Sequence, residues 1–593
     1  MRVRTWVATL AAGLVLADAS IVTLALPELL RALDTTVEGV AGVIAVYTLV
    51  LAAALLPAER LVRRRGAVVG GMWGFALFAA ASIVCATADS LAVLLIGRAI
   101  QALGGAAGLV AAFVLIAGGT RAGRRHWLGA AVLASAVGPA LGGALTQAFD
   151  WRAIFVVQVP VALAGALTVW RAGLTPPARP GDSASGVAES SSPAPPARSA
   201  FRPWDAAALA LVSGALTAVL FGLVLLLIAG WAVEPLAAAA TVTILPVAAV
   251  AGSRVGGAPR VRATVGCLLV GGGLLALAWL PSASVAWTFV PQALAGVGMG
   301  MALPAFAGEL LPERTAREAA RLLTVRHVGI ALVLVALAPL IANRLDVVTE
   351  RAQEQGVALV LDARLPPQDK LALAPALLGG VEAERPRGGL RQALAAHDAG
   401  YEGEERDAYE QIGRRADGVL VSAVGDAFRA AFVLAGALAL LAAVALRVGN
   451  TNVDRAGGAG EDDSATPLAE SPGRAGGVGP ARHGARATAV VAALAVAAAL
   501  PIAYAAIHAA EEPQQVRLAD PCDPRELPST GGIAGFLQDR ALQALDATAC
   551  RLDSSREELV LALASDEAAD RYEQRHGVDP RSATSLLDGL LDP

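Results

Sequence analysis

The sequence predicts an all-α polytopic membrane protein: two six-helix bundles, an additional C-terminal span and a small extracytoplasmic tail domain. Three observations carry this expectation. The 593 residues are 55% hydrophobic and only 17% charged, whereas an ordinary soluble chain carries about 25% charge. Uncharged windows of roughly 20 residues recur along the chain, which is the length a helix needs to cross a hydrocarbon core. The arginines gather in alternate loops, as the positive-inside rule requires of a multi-pass protein.

The N-terminal MRVRTWVATLAAGLVLADAS has the basic start and small-residue end of a signal peptide. Its apolar run continues through Leu24 and Leu26 to spanning length, so it reads as an uncleaved first span. Spans are expected near 6–26, 37–57, 67–87, 91–117, 127–148 and 153–171, forming an N-terminal six-span bundle over 1–171. A second set near 206–230, 237–253, 264–281, 285–308, 325–343 and 427–447 forms a C-terminal bundle over 205–447. A thirteenth span is expected near 488–508.

The segments between these spans differ in composition. Residues 172–204 are rich in Pro, Ser and Ala and read as a disordered cytoplasmic linker. Residues 345–425 are polar with apolar periodicity, which suggests a partly helical extracytoplasmic cap. Residues 448–487 are Gly-rich and read as a flexible cytoplasmic linker. Residues 509–593 form the tail, with amphipathic helices expected over 533–545 and 556–572.

Arginine placement sets the orientation. With the N-terminus inside, the inner loops hold Arg60, Arg63, Arg64 and Arg65, then Arg121, Arg124 and Arg125, and further arginines at 254–262 and 309–326. The outer turns hold only Arg31 and Arg152. The expected location is therefore the cell membrane, with a cytoplasmic N-terminus and an extracytoplasmic C-terminus. Trp151 falls at the outer interface, where an aromatic belt residue is expected.

Some chemistries find no support. No Cys or His pair has metal-ligand spacing, and there is no nucleophile triad or phosphate loop, so no metal, no cofactor and no enzymatic activity are expected. Nothing points to nucleic acid as a partner. Cys85 and Cys267 lie in apolar spans as core thiols. Cys522 and Cys550 lie in the tail, where an oxidising compartment would join them; two free thiols is the reading if the tail is inside.

The chemistry concentrates in a few buried polar residues. Arg98 sits in LAVLLIGRAIQALGGAAG, an apolar run where an arginine costs roughly 2.5–3.5 kcal/mol at the helix centre. Asp18 sits in LADASIVTLALP. At 1.5 Å per residue Asp18 lies about 18 Å up from the inner face and Arg98 about 10 Å down from the outer one. In a core about 30 Å thick those depths agree within a few Å, so an ion pair is geometrically permitted. A carboxylate that trades its Arg partner for a proton is a coupling device; a static pair that fixes packing is the alternative. Gln101 follows on Arg98's face, and Gly104 and Gly108 let another helix approach closely. Gly138, Gly142 and Gly143 make a smooth face in the fifth span, where Pro139 bends the helix; ordinary close packing is the alternative there. Gln292 is a cavity candidate, or else part of an interhelical hydrogen bond. Gln147 is a further polar candidate, Glu309 reads as solvated loop chemistry, and Asp205 is compatible with helix capping.

These pieces together resemble a transporter of the major facilitator superfamily, in particular its fourteen-span drug:proton antiporter branch. The matching stretches are Leu16 to Pro27, Arg98 to Ala106, Gly138 to Gly143 and Trp151 to Pro160, with weaker matches at Trp204, Asp205, Gly296, Gly298 and Gly300. The resemblance implies two six-helix bundles of the major facilitator type, alternating access around a central cavity, and proton coupling through Asp18 and Arg98. It also implies that Gly138–Gly143 belong to an antiporter motif lining the bundle interface.

Three departures stand out. The gating loop after the second span keeps Glu59, Arg60, Arg63 and Arg64 but lacks the family's glycines; Glu59 is left to pair with a neighbouring arginine. Gln158 stands where the branch usually has Asn. Twelve spans rather than fourteen precede residue 448. The expected function is proton-coupled multidrug efflux of hydrophobic or amphipathic small molecules, with protons, substrate and the lipid bilayer as partners. The reading from another class is a transporter-like scaffold or receptor that presents the cap and tail to an extracytoplasmic partner.

Overall fold

A computed structural model describes residues 2–117, 127, 138–173, 201–307, 309–311, 315–370, 373, 386–397, 403–458, 481–511, 516, 518–528 and 532–581. The regular elements among them are helices, as the sequence predicts. A lipid-exposed backbone has no water to bond, so each apolar span must satisfy its polar groups internally. Among the described residues eleven helices are long and apolar enough to cross a membrane, and a bent pair makes twelve. The fifth expected span lies partly outside the described residues, with Trp127 and the helical stretch 138–148 inside them. The expected linker at 172–204 is also largely outside, over 174–200.

The first span is not the straight helix expected over 6–26. It is Arg2–Thr23 followed by Leu26–Ala32, bent by 62°. Pro27 has no N–H to return to the carbonyl of Thr23, so the ladder breaks there. The second span runs Val37–Arg65 and the third Ala67–Ala86. Only Gly66 separates them, and its φ of 90° turns the chain without a loop. The fourth span is Leu91–Ala117, and the sixth is Ala153–Val156 with Gln158–Gly173.

In the second half the seventh span is Pro203–Leu225, closed by a π-helical turn at Leu226–Gly230. The eighth is Pro235–Val242 with Ile244–Gly252, the ninth Pro259–Ala276, the tenth Phe289–Phe306. The seventh, eighth and ninth each open on proline, whose missing N–H is an orphan there anyway. The third and fourth spans meet so closely that a Cβ on Gly104 would lie 2.5 Å from the Phe78 nitrogen. The ninth and tenth repeat this: a Cβ on Gly266 would lie 2.5 Å from the Gly298 carbonyl oxygen. The thirteenth span, Ala481–Glu511, packs its Ala497 on Gly272 of the ninth, and Tyr504 donates to the Trp287 carbonyl at 2.9 Å.

The helices of the cap grow directly out of two spans. The eleventh span is one helix, Ala316–Leu361, and the twelfth is one helix, Glu404–Gly458. A capping box of Thr315 and Glu318 starts the former. Both overrun their apolar segments, the eleventh by about 27 Å at 1.5 Å per residue. The short helix Pro386–His397 lies with them. The twelfth-span helix continues to Gly458 and the thirteenth begins at Ala481, so both intrude on the linker expected over 448–487.

The tail folds into three helices, Gly532–Arg551, Arg556–Ala564 and Asp566–His576. The single helix expected over 556–572 is split because Ser565 caps a new one, accepting from the Ala568 N–H at 3.1 Å. Ala549, Leu559, Ala562 and Tyr572 form its core, and Cys522 is joined to Cys550. Arg556 docks this unit on the eleventh-span helix. It is fully buried, 2.7 Å from Asp362 and 2.9 Å from Glu557. Arg571 and Arg575 reach Glu350 at 3.7 and 3.6 Å. Burial raises the Asp546 carboxyl and pulls the neighbouring Lys370 ammonium down to about 8.

Replacing Arg556 by Ala leaves Asp362 without its cation and Glu557 with only Arg525, at 3.6 Å, a loss of about 3 kcal/mol. Limited trypsin digestion should release the tail faster from this variant than from the wild type; equal rates would show that another contact holds it. Lys370 titrates in the folded chain near 8, below its ordinary 10.5, so the unfolded chain binds more protons between those values. The penalty is full below about pH 8, and tail stability should rise from there towards about pH 10. Thermal unfolding against pH should show that slope in the wild type and lose it in Lys370→Met.

Candidate functional site

The fourth span carries Arg98 to the centre of the first bundle, and the first span carries Asp18 to meet it. Arg98 Nη1 lies 2.6 Å from Asp18 Oδ2, and both side chains are fully buried. The depths read from the sequence therefore end in direct contact. Three further groups close a ring. Arg98 Nη1 donates to Gln101 Oε1 at 2.6 Å, Gln101 Nε2 to Gln158 Oε1 at 2.8 Å, and Gln158 Nε2 to Asp18 Oδ1 at 2.8 Å. Gln101 Nε2 also donates to Ser82 Oγ at 2.8 Å. One ring thus ties the first, fourth and sixth spans together, with the third attached.

The second span supplies the remaining contacts of the guanidinium. Arg98 Nε donates to the Val43 carbonyl at 3.3 Å. The Tyr47 ring lies 4.1 Å from the guanidinium carbon, a cation–π contact. Tyr47 is held by its own hydroxyl, which donates to the Val15 carbonyl at 3.1 Å. Arg98 Nη2 is buried without a hydrogen bond. The arrangement can hold one unit of charge difference in a dry site. A proton on Asp18 would turn a closed ion pair into a cation facing a neutral acid and weaken the tie between the first and fourth spans.

Gln101 and Gln158 are both fully buried inside this ring. Gly104 and Gly108 take the packing role, against Phe78 and Phe75 of the third span. Gly138 faces Ser20, and Gly142 leaves no room for a side chain against the Ile21 carbonyl, so the fifth span lies flat on the first, with Pro139 in that stretch. Gly143 faces the other way, against Ala239 and Pro235 of the eighth span in the second bundle. Gln147 extends that contact, donating to Glu234 at 3.4 Å and accepting from the Leu236 N–H at 2.8 Å. Gln292 is buried and donates to Thr288 Oγ1 at 2.9 Å, while its Oε1 has no hydrogen bond.

The expected gating loop is not a loop: Glu59, Arg60, Arg63 and Arg64 all lie in the last turns of the second-span helix, where Glu59 is buried with Arg63 3.3 Å from it one turn on, while Arg60, Arg63 and Arg64 are exposed. Asp205 is not a cap. Its carboxylate is buried and takes two bonds from Arg260, at 2.6 and 2.9 Å, because the ninth span brings that arginine beside it. Glu309 is not a free loop acid, since Arg262 bonds it at 2.7 Å. Trp151 is not a lipid-facing belt residue. It is 1% exposed, stacked edge-on to Phe155 with Arg152 over its ring. Sequence reading missed Tyr47, Ser82 and the Val43 carbonyl, which lie 16 to 55 positions from Arg98 with no local spacing to betray them.

Among the described residues no group of three or more His, Cys, Asp or Glu could hold a metal ion. A family model described as Major Facilitator Superfamily matches residues 8–338. The chain is 33% identical over 171 residues to the drug efflux pump JefA of Mycobacterium tuberculosis, covering 27% of this chain and 34% of that protein. It is 32% identical over 170 residues to the methylenomycin A resistance protein of Bacillus subtilis, covering 27% and 36%. It is 36% identical over 166 residues to the multidrug efflux pump LfrA of Mycolicibacterium smegmatis, covering 24% and 32%. The chain thus spans about a third of the length of the curated relatives it matches. Among solved structures it is similar to an inward-facing, unoccupied bacterial homolog of the human lysosomal transporter Spinster. The TM-score is 0.48 at 16% identity, covering 76% of this chain and 98% of that one.

Removing one partner of the central pair strands the other in a dry core, at a cost of about 3–5 kcal/mol. Asp18→Leu should therefore melt well below the wild type. Adding Arg98→Met to it should recover part of the loss, since the uncompensated charge is gone. Thermal unfolding of the purified variants checks this; a double variant no more stable than the single one would show that the pair is not the coupled unit described here.

Proposed function

The chain belongs to the major facilitator superfamily, and from that premise we propose that it is a secondary active transporter that exports hydrophobic or amphipathic small molecules in exchange for protons. The observation that carries the coupling half is the fully buried Asp18–Arg98 pair. Buried charge in a membrane bundle is costly. This pair is placed so that one proton changes the bonding between two spans. With Asp18 ionised, the ring holds the first, fourth and sixth spans together. Protonation of Asp18 releases Arg98 to Gln101 and the Val43 carbonyl and lets the first span shift against its neighbours.

The second supporting feature is the contact between bundles. The fifth span meets the eighth through Gly143, Ala239 and the Gln147–Glu234 bond. That contact lies near Trp231 and hence toward the cap, so we assign it to a gate closed on the cap side. The second span meets the eleventh where Thr324 donates to the Ala52 carbonyl at 3.2 Å. Rocking of one bundle on the other about such contacts gives alternating access. The efflux half of the proposal follows relatives whose names are those of drug efflux pumps. The arginine distribution supports a cytoplasmic N-terminus, with the cap and tail outside.

Protein reconstituted in liposomes should move members of a broad dye and drug panel when a pH gradient is imposed. Asp18→Asn should reduce that flux to the level of empty vesicles while substrate binding persists. Gradient-driven flux unchanged in Asp18→Asn would remove the coupling role. Absence of flux for the whole panel would favour a scaffold that presents cap and tail to a partner. A membrane-impermeant thiol reagent should label the tail cysteines from outside after reduction; labelling from inside alone would overturn the orientation.

A further inference from the structure

The second bundle holds a cavity that the Asp18–Arg98 chemistry does not use. It lies at the cap end, among the seventh, ninth, twelfth and thirteenth spans and the helix Pro386–His397, with a volume of about 350 Å³. Its inner wall is apolar and buried, formed by Leu226, Trp231, Leu277 and Phe432. The backbone there is unusual. The π-helical turn Leu226–Gly230 ends at Trp231, and Ala232 follows in the left-handed region with φ 57°. π-turns and left-handed non-glycine residues concentrate at functional sites. The Trp231 Nε1–H is buried without an acceptor, a vacancy that stability alone does not favour.

This cavity opens into a groove between the two projecting helices. It shares Arg414, Ser422 and Asp426 with a second cavity of about 580 Å³, which shares Gln411, Arg415 and Val516 with a third of about 570 Å³. Both fall within the range of roughly 300–1,000 Å³ expected for small-molecule sites.

The charges lining the groove do not balance. Each of its carboxylates is already held by an arginine: Asp417 by Arg387 at 2.7 Å, Asp426 by Arg429 at 2.7 Å, and Asp362 by Arg556 at 2.7 Å. Arg414 has only a 3.4 Å contact with exposed Glu410. Arg351, Arg364 and Arg415 line the groove with no acidic partner among the described residues. Guanidinium forks match carboxylate, sulfonate and phosphate geometry.

We propose that this groove is a binding site for an acidic amphiphile, whose apolar end enters the Trp231–Phe432 cavity and whose anionic group lies among Arg351, Arg414 and Arg415. The order of the three cavities gives the orientation: the apolar wall is next to the bundle, and the unpaired arginines stand above it. His508 helps shape the entrance. Its Nδ1 lies 2.9 Å from the Leu280 carbonyl and its Nε2 lies 3.0 Å from Arg429, so the thirteenth span completes the site. The ligand is a soluble organic acid or an acidic lipid of the adjoining leaflet, since both present the same chemistry.

Binding can be read without transport, so its result is separable from that of the coupling test. Full-length protein in nanodiscs of zwitterionic lipid is titrated calorimetrically with 2-naphthalenesulfonate, 2-naphthalenemethanol and 2-naphthylmethylammonium. The sulfonate should bind with 1:1 stoichiometry and the other two at least tenfold more weakly. Affinity should fall as salt is raised. Arg351→Gln with Arg415→Gln, both exposed and without an acidic partner among the described residues, should weaken sulfonate binding about tenfold or more, and Trp231→Phe should weaken it as well. Arg406→Gln, on the same helix but outside the groove, should leave it unchanged. Repeating the titration in nanodiscs containing an anionic phospholipid separates the sources. Competition identifies the lipid as an occupant, and undiminished binding identifies a soluble acid; either supports the site. Equal binding of the ammonium compound, or full affinity in the double arginine variant, would overturn the proposal.

Discussion

The first bundle depends on one desolvated ion pair. Asp18 and Arg98 are 2.6 Å apart with no exposed surface. Taking two such ions out of water costs several kcal/mol each, repaid only by close contact and by hydrogen bonds to the remaining lone pairs and protons. The surrounding residues supply those bonds: Gln101 and Gln158 close the ring, Val43 contributes a backbone carbonyl, and Tyr47 gives a π face. The small residues then follow as a geometric consequence. Spans joined by short bonds at their centres must approach closely, and Gly104 against the third span and Gly105 against Val15 of the first are where side chains would prevent it. A single proton added to Asp18 would reach all of these contacts at once, which makes the pair suited to coupling.

The second bundle is organised around a different constraint, the support of structure beyond the membrane. Two of its helices continue as projecting rods, and the thirteenth span returns the chain so that the tail can dock on one of them. Arginine does nearly all the cationic work here, with Lys370 as the single lysine of the chain. Its planar fork can serve two acids at once, as Arg556 does for Asp362 and Glu557. The same residue type left unpaired along the groove is available to ligands. One chemistry thus serves both docking and the proposed binding site.

Much of the candidate site was legible before the fold. A charge inside an apolar run is conspicuous, and counting residues from each face gave Asp18 and Arg98 the same depth because helix rise is uniform. The glycine face of the fifth span was legible for a similar reason. Two local readings were displaced. Trp151 looked like an interface residue from its position but is packed inside, because the sixth span turns it toward Phe155. Asp205 looked like a cap until the ninth span brought Arg260 to it. That the helices of the cap continue two spans, Ala316–Leu361 and Glu404–Gly458, was not legible, because hydropathy marks where the apolar stretch ends and not where the helix does.

The linear pattern by itself determined the class, the order of the apolar spans and the identity of the costly charges, because these follow from hydropathy, helix rise and the cost of burying an ion. Tertiary structure alone decided how those charges are satisfied and which faces meet. Tyr47, Ser82 and Gln158 reach the central pair from three other spans, and Arg351, Arg364 and Arg415 share one groove across two helices. The rotation of each helix about its own axis sets those encounters, and that rotation is fixed by packing against neighbours distant in the chain, which no local spacing encodes.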